Sequence, residues 1–461
     1  MTEETKKLYR VIKEFQIQSV VWMAAPYSEG EKIVLPVGMI LEVYERTSNI
    51  GKPLYEAIPV NSKEWAPFLF SASVRFNSKF RGDYNFFPSR RELDENCEPV
   101  DVLPEEIPDP VRRLRSLQGC LFGTAVGDAI GLPYEGLSPA RIKKLNAFPL
   151  HYNFLFGRGM ISDDTEHTCM VAQALINSGG NKQRFSRSLA WKFRWWLLGL
   201  PAGIGLATLR ACIKLCLGFP AKWSGVFSAG NGPAMRSAIV GVFAGDNYQH
   251  LEDLVRINTV ITHRDPKALK GALIVAELAA MNAKGSPLTV NNCLEKLNSI
   301  INDDSELREH LIAAVSSAAD KQTAEDFCEQ QGWVKGVGGY MYHTLPVVLQ
   351  IVLRHPDNYE AAITEAVACG GDTDTVSAII GGIVGAGVGQ AGIPAEWMTG
   401  LKDWPRDKVF IRLLGEELAI LQTSGKPGIT LSMDLIRVWL RNIFFMVWVL
   451  GHGFRRLLPP Y

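Results

Sequence analysis

GCLFGTAVGDAIG at 119–131 sets glycines at positions 119, 123, 127 and 131, four residues apart. Residues four apart share one face of an α-helix, so this spacing predicts a helix with a glycine-lined stripe suited to tight packing. A second run of small apolar residues, AIIGGIVGAGVG at 378–389, likewise allows close helix–helix approach. At about 12 residues it is too short to cross a bilayer. Outward from these runs, 267–283 and 359–368 repeat Ala, Leu and Ile at spacings of three and four, the helical period. Strand signals are sparse here. Residues 111–425 therefore read as one all-α domain with a single large core.

The ends of the chain read differently. In 1–95, SVVWMAA (19–25), KIVLPVGMILEVY (32–44) and FLFSASVRF (68–76) are rich in β-branched and aromatic residues, with turn clusters between them. They predict a small β-rich domain, and hence an α+β fold class for the whole chain. The Pro-rich, acidic stretch 96–110 reads as a linker. Residues 426–461 form an apolar C-terminal helical extension. Within it NIFFMVWVLGHGF (442–454) is uncharged and about 13 residues long, short of the roughly 20 that a span requires. A helix docked on the body is the expectation there, and an interfacial helix the alternative.

The chain has 461 residues, which suggests two to three domains. Hydrophobic residues make up 47% and charged residues 21%, as in ordinary globular proteins. Lys+Arg and Asp+Glu are both 48, so no overall basic field draws the chain to nucleic acid or anionic lipid, and no nucleic-acid partner is expected. Eight cysteines form no CxxC pair and no zinc spacing, which reads as free, mostly buried thiols in a reducing compartment. The N-terminus lacks the apolar core of a secretion signal, and a cytoplasmic location is expected.

Two acidic clusters carry the chemistry. Ser162-Asp163-Asp164-Thr165-Glu166 and Gly370-Gly371-Asp372-Thr373-Asp374-Thr375 each precede an apolar helical run. Hard divalent cations take oxygen ligands, and two such turns face to face could hold two ions. Either cluster alone reads equally as a helix N-cap. Together, each with at least two acids, they exceed what capping needs. Gly230-Asn231-Gly232 reads as a loop that brings backbone close to a phosphate, or as an ordinary turn. His263, in THRDP at 262–266, and Glu135, just past the glycine stripe, gain weight only from their neighbours.

In order and spacing these pieces resemble the ADP-ribosylglycohydrolase family. The matching motifs are GCLFGTAVGDAIGLPYEG (119–136), SDDTEHT (162–168), GIGLAT (203–208), GNGPAMRSAIVG (230–241), THRDPKALKGA (262–272) and ACGGDTDTVSAIIGGIVGAGVG (368–389). GGYMYHTLPVVL (338–349) and IPAEW (393–397) also fit. The resemblance covers roughly 112–400 and implies an all-α domain with two Mg²⁺ or Mn²⁺ ions in a central cleft. It implies metal ligation by Ser162, Asp163 and Asp164 on one side and by Asp372, Asp374 and Thr375 on the other. It places Glu135 near the scissile bond, with Glu135, Asp163 and Asp374 as the catalytic candidates. Gly127, Asp128, Gly230, Asn231, Gly232 and His263 would contact the substrate. His167 departs from the family, standing where relatives often carry Met.

The implied activity is hydrolysis of the glycosidic bond between ADP-ribose and a modified protein side chain, through an oxocarbenium-like state. The expected partners are an ADP-ribosylated protein as substrate and ADP-ribose as product, and arginine is the expected linkage. Alternatives are serine-linked or small-molecule ADP-ribose, an immunity factor that reverses or blocks an ADP-ribosylating toxin, and an inactive ADP-ribose-binding module.

Overall fold

The computed structural model describes residues 6–11, 15–18, 32–35, 39–47, 53–59, 95, 97–100, 109–286, 288–301, 304–428 and 433–456. The chain divides into two compact units, Met1–Leu114 and Arg115–Tyr461.

In the first unit the described residues form short strands. β4 (Ile40–Thr47) pairs antiparallel with β5 (Pro53–Pro59) and with β1 (Lys6–Val11), and β1 pairs with β6 (Cys97–Val100). β2 (Phe15–Gln18) and β3 (Lys32–Leu35) form a separate pair. The runs 19–25 and 68–76, on which the β-rich reading leaned, lie outside the described residues. The linker expected over 96–110 is corrected at its ends. Cys97–Val100 is a paired strand, and Asp109 already begins a helix.

The α+β class with a β-rich N-terminal domain is corrected to all-α. The interpretable chain is 70% helical. From Asp109 onward the described residues contain only isolated β-bridges and no strand. Runs of β-branched and aromatic residues are weak signals, because β-propensity depends on what a residue packs against.

Two helices in backbone contact form the axis of the second unit. They are Asp109–Gly131 and Thr373–Val388. A Cβ added at Gly119, Gly123 or Gly127 would lie 2.1, 2.1 or 2.2 Å from the carbonyl oxygen of Gly385, Gly381 or Ser377. The facing helix answers in kind: a Cβ at Gly381 would lie 2.2 Å from the Gly123 oxygen. The glycine stripe thus packs as its spacing predicts. Tyr359 closes the contact by donating its hydroxyl to the Gly123 carbonyl at 2.6 Å.

Helices Pro266–Ala283, Ala238–Ala244 and Met341–Arg354 pack around this pair. Helix Asp163–Ser178 lies against Lys182–Leu198 and Lys408–Ser424. Its buried residues run almost without break from Asp164 to Ile176, which places polar and apolar groups alike inside the core.

The C-terminal helix is longer than the uncharged run suggested. It spans Leu435–Arg455, 21 residues, and is the one helix among the described residues long and apolar enough to cross a membrane, with a mean hydropathy of 1.3. Its inner side is nonetheless docked. Val438, Arg441, Asn442 and Phe445 are buried. Arg441 binds both carboxylate oxygens of Asp403, at 3.0 and 2.7 Å, and donates to the Ile161 carbonyl. Asn442 donates to the Gly199 carbonyl at 2.7 Å. Trp439 and Trp448 donate their indole N–H groups to the Leu198 and Phe154 carbonyls. All eight cysteines are free thiols, seven of them buried.

Candidate active site

The ends of the glycine-packed pair bring the first residues together. Where Asp109–Gly131 ends, Thr373–Val388 begins, and the Thr373 hydroxyl donates to the Gly131 carbonyl at 2.9 Å. The chain beyond Gly131 turns through Leu132–Tyr134 and sets Glu135 beside the second acidic cluster. Gly136 and Gly371 lock the two segments, N–H of Gly136 to O of Gly371 at 2.7 Å and N–H of Gly371 to O of Leu137 at 2.8 Å. Gly371 has φ +83°, and a Cβ there would lie 2.2 Å from the Val337 oxygen, so this turn admits only glycine.

The first acidic cluster is held from behind. Asp128, fully buried on the glycine helix, accepts the Ser162 N–H at 2.8 Å, the Thr165 N–H at 3.2 Å and the Thr165 hydroxyl. Burial pushes its carboxyl up to about 6, against the lowering effect of those donors. The Arg441–Asp403 pair grips the preceding residue, since the Ile161 N–H donates to Asp403 at 3.1 Å. Ser162 caps its helix through the Asp164 N–H, as the capping reading expected. Asp372 makes no such cap. It instead accepts the Asn231 amide N–H at 2.7 Å.

A cleft of about 390 Å³ opens over these groups. Its floor carries Glu135, Ser162, Asp163, Asp372, Asp374 and Thr375. The opposite wall carries Gly230, Asn231, Gly232 and His263. Asp164 lies just behind the floor. It accepts from the Ser162 hydroxyl at 3.0 Å and the Thr375 hydroxyl at 3.3 Å, while its second oxygen, Oδ1, is buried with no partner. Thirteen residues expected at the site thus divide sharply. Ten line the cleft, Asp164 backs it, and Gly127 and Asp128 do not reach it. Those two are corrected from substrate contacts to positioning residues, because one packs helix on helix and the other anchors the Ser162 turn.

Electrostatically the floor is a crowd of like charges. Asp164 is raised well above the ordinary carboxylate range by burial and then by Asp163, Asp128 and Asp372, and Asp374 by burial and then by Glu135, Asp372 and Asp164. Asp163 is raised by burial, then by Asp128, Glu166 and Glu135. Burial and then Asp372 raise Glu135, with Arg456 opposing. Such groups gain from a cation among them. Every donor in the set is a hard oxygen, which suits Mg²⁺ or Mn²⁺, and the orphaned Asp164 oxygen lacks a partner that an ion would supply. Among the described residues no three carboxylate, imidazole or thiol groups converge on a single point, so the ligand set is assigned by donor chemistry and placement.

The opposite wall is neutral and donor-rich. His263 sits beneath the glycine loop; a Cβ at Gly230 or Gly232 would come within 3.1 Å of its ring. Burial and the nearby Arg236 push it down to about 3, so it is uncharged at neutral pH. Thr262 Oγ1 accepts from Arg236 at 2.7 Å and lies 2.9 Å from His263 Nδ1. The His263 Nε2 faces the loop, 3.1 Å from where a Cβ on Gly230 would lie. Arg236 is fully buried, also binds the Gly232 carbonyl at 2.8 Å and Asn258, and is lowered to about 9 by burial. Among the acidic residues behind the site, burial would raise Glu166, but Arg406, Arg441 and the Trp196 indole together lower it.

Several cleft residues had not been assigned to the site from sequence. Leu206, Ala207 and Thr208 come from the 203–208 motif, and Gly339 from the 338–349 motif. Phe445 and Val449 come from the C-terminal helix, outside every matched motif. No local signal marks them, because their placement depends on how that helix docks.

The sequence pattern of ADP-ribosylglycohydrolase matches residues 109–427. A protein of Archaeoglobus fulgidus is 30% identical over 294 residues, covering 62% of this chain and 91% of its own length. The ADP-ribosyl-[dinitrogen reductase] glycohydrolase of Rhodospirillum rubrum is 24% identical, over 61% of this chain and 89% of its own. The ADP-ribosylarginine hydrolase Tri1 of Serratia proteamaculans is 25% identical, over 69% and 83%. The match spans both acidic clusters, the glycine loop and His263, and the chain belongs to the ADP-ribosylglycohydrolase family, as a glycohydrolase of ADP-ribosylated substrates.

Proposed function

We propose that the protein is a Mg²⁺- or Mn²⁺-dependent hydrolase that releases ADP-ribose from arginine side chains of modified proteins. One observation carries this reading: a single cleft holds a carboxylate-crowded floor, with an orphaned buried oxygen behind it, opposite a neutral glycine loop backed by His263. The floor suits divalent ions, and the loop suits a diphosphate. The arginine linkage is inferred from the Serratia relative, an ADP-ribosylarginine hydrolase.

Ser162, Asp163, Asp164, Asp372, Asp374 and Thr375 would hold the ions. When bound, the ions would polarise the ribose hydroxyls beside the anomeric carbon. The chain's own groups do the rest. The glycine loop and the neutral His263 ring orient the diphosphate, and Asn231 keeps Asp372 in place. Phe445, Leu206 and Val449 exclude water from one side of the cleft. Glu135, Asp163 and Asp374 are the carboxylates that can take a proton from the attacking water and supply one to the departing guanidine, as the C1″ bond opens through an oxocarbenium-like state.

The test is release of free ADP-ribose from a mono-ADP-ribosylated-arginine protein, followed by mass spectrometry with and without Mg²⁺ or Mn²⁺. Metal-dependent release is expected. Release unaffected by metal removal, or full activity in Asp374→Ala, would overturn the metal reading. Release from a serine-linked substrate alone would overturn the arginine assignment.

A further inference from the structure

The outward face of the C-terminal helix is an apolar stripe. Ile436, Leu440, Ile443, Val447, Leu450 and Phe454 follow one another at steps of four and three and are all exposed, Val447 to 65% and Leu440 to 61%. Trp439, Phe444 and Met446 widen it on both sides. The stripe is continuous with a second apolar surface. Trp191 and Trp195 share a hollow with Leu435 and Val438, and the Trp439 indole reaches the Leu198 carbonyl at 2.8 Å. Exposed Leu198, Leu200 and Leu206 then lead to the cleft, whose mouth Leu206 shares with Phe445 and Val449. Leu217, Phe219, Trp223 and Phe227, in the segment that follows Leu206 in the chain, are exposed as well. Contiguous apolar patches of this extent mark interaction sites.

The charges on these segments are one-sided. Residues 167–245 contain no Asp or Glu, yet they contain nine Lys and Arg, in a chain whose totals balance at 48 each. After Asp434, which caps the helix, there are four Arg and again no acid. Arg210, Lys222, Arg437 and Arg455 are exposed within or beside the apolar face. Lys222 lies over the Trp223 ring at 5.6 Å.

We propose that this face seats the enzyme on an anionic lipid bilayer, with the 435–455 helix lying in the plane of the interface and the catalytic cleft opening beside it. Exposed Trp among aliphatic side chains, on segments that carry Lys and Arg but no acid past the Asp434 cap, matches the chemistry of the headgroup boundary. A second copy of the chain fits less well. The stripe's steps suit a helix seam, but its flanks are Trp, Phe and Met where paired helices carry complementary charges, and two such faces would set cation against cation. A spanning arrangement would tear Arg441 from Asp403 and Asn442 from the Gly199 carbonyl. The consequence is that the enzyme meets ADP-ribosylated groups held at a membrane surface, whatever their linkage.

The experiment is co-sedimentation of the full chain with vesicles of phosphatidylcholine and phosphatidylglycerol in about a 7:3 ratio, and with phosphatidylcholine alone. Binding to the mixed vesicles is expected, reduced about tenfold or more in Leu440→Glu/Val447→Glu/Leu450→Glu, with turnover of a soluble substrate unchanged. No binding to mixed vesicles, or binding that the triple variant retains, would overturn the proposal. Equal binding to neutral vesicles would remove the role of the cations. A lipid-free dimer that the triple variant dissociates would assign the face to a second copy instead.

Discussion

The 109–131 helix lies behind the cleft and the 435–455 helix lines it, and they are attached in opposite ways. The first meets its neighbour through bare backbone. Glycine faces glycine, and each added Cβ would lie about 2 Å from a carbonyl oxygen of the other helix. The second is held by polar side chains. Arg441, Asn442, Trp439 and Trp448 each reach a backbone carbonyl or a carboxylate on the body, while most of its apolar residues face outward. The contrast separates two ways of building a site. A backbone-to-backbone contact tolerates nothing larger than glycine and sets the two acidic clusters in register. A contact made by side chains can be removed one partner at a time, and it leaves the opposite face available.

Substitutions can break or sharpen that contrast. The largest effect is expected at the glycine pair. Gly123→Val should prevent folding or cost well over about 3 kcal/mol, because backbone cannot move aside as a side chain can. Circular dichroism and thermal unfolding would measure it, and a near-native melting temperature would refute the close-contact account. Next comes Arg441→Ala, expected to cost about 3–5 kcal/mol by leaving Asp403 buried without its cation, and to lower kcat through the Ile161–Ser162 turn. Restored stability in the double variant Arg441→Leu/Asp403→Leu would trace the loss to the orphaned charge.

His167 sharpens the picture from inside the core. Both its ring nitrogens are buried without partners, and burial, then Arg236 and Arg406, hold its pKa well below 6.5. Above pH 6.5 the ring is neutral folded or unfolded. As pH falls through 6.5 the unfolded chain takes a proton that the folded one refuses, so stability is lost on the acid side. His167→Met should therefore raise the melting temperature, by about 1–3 kcal/mol in stability, and more at pH 5 than at pH 8. An equal gain at both pH values would exclude the protonation component. The smallest effect is expected on the outer helix face. Val447→Ser should change stability by less than about 0.5 kcal/mol, since that side chain packs against little.

How much could be read without the structure follows the same division. The glycine period, the helical spacing of 267–283 and 359–368, and ten of the cleft residues were legible, because each lies in a local pattern of its own. The strand-like runs near the N-terminus misled on fold class, because β-branched and aromatic composition describes a side chain's preference and not its neighbours. Asp128 looked like a substrate contact for a related reason. It sits in the right motif but behind the residues that line the cleft, and only the position of Ser162 reveals its task.

By itself the sequence determined which residues share a helix face and which oxygens can serve a hard cation, since both follow from local spacing and side-chain chemistry. Only the tertiary structure decided that Asn231 holds Asp372, that Arg236 supports His263, and that the C-terminal helix walls the cleft. Those contacts join residues scores to hundreds of positions apart or depend on burial, and in such cases the energy of a polar group is set by what surrounds it, not by what precedes it in the chain.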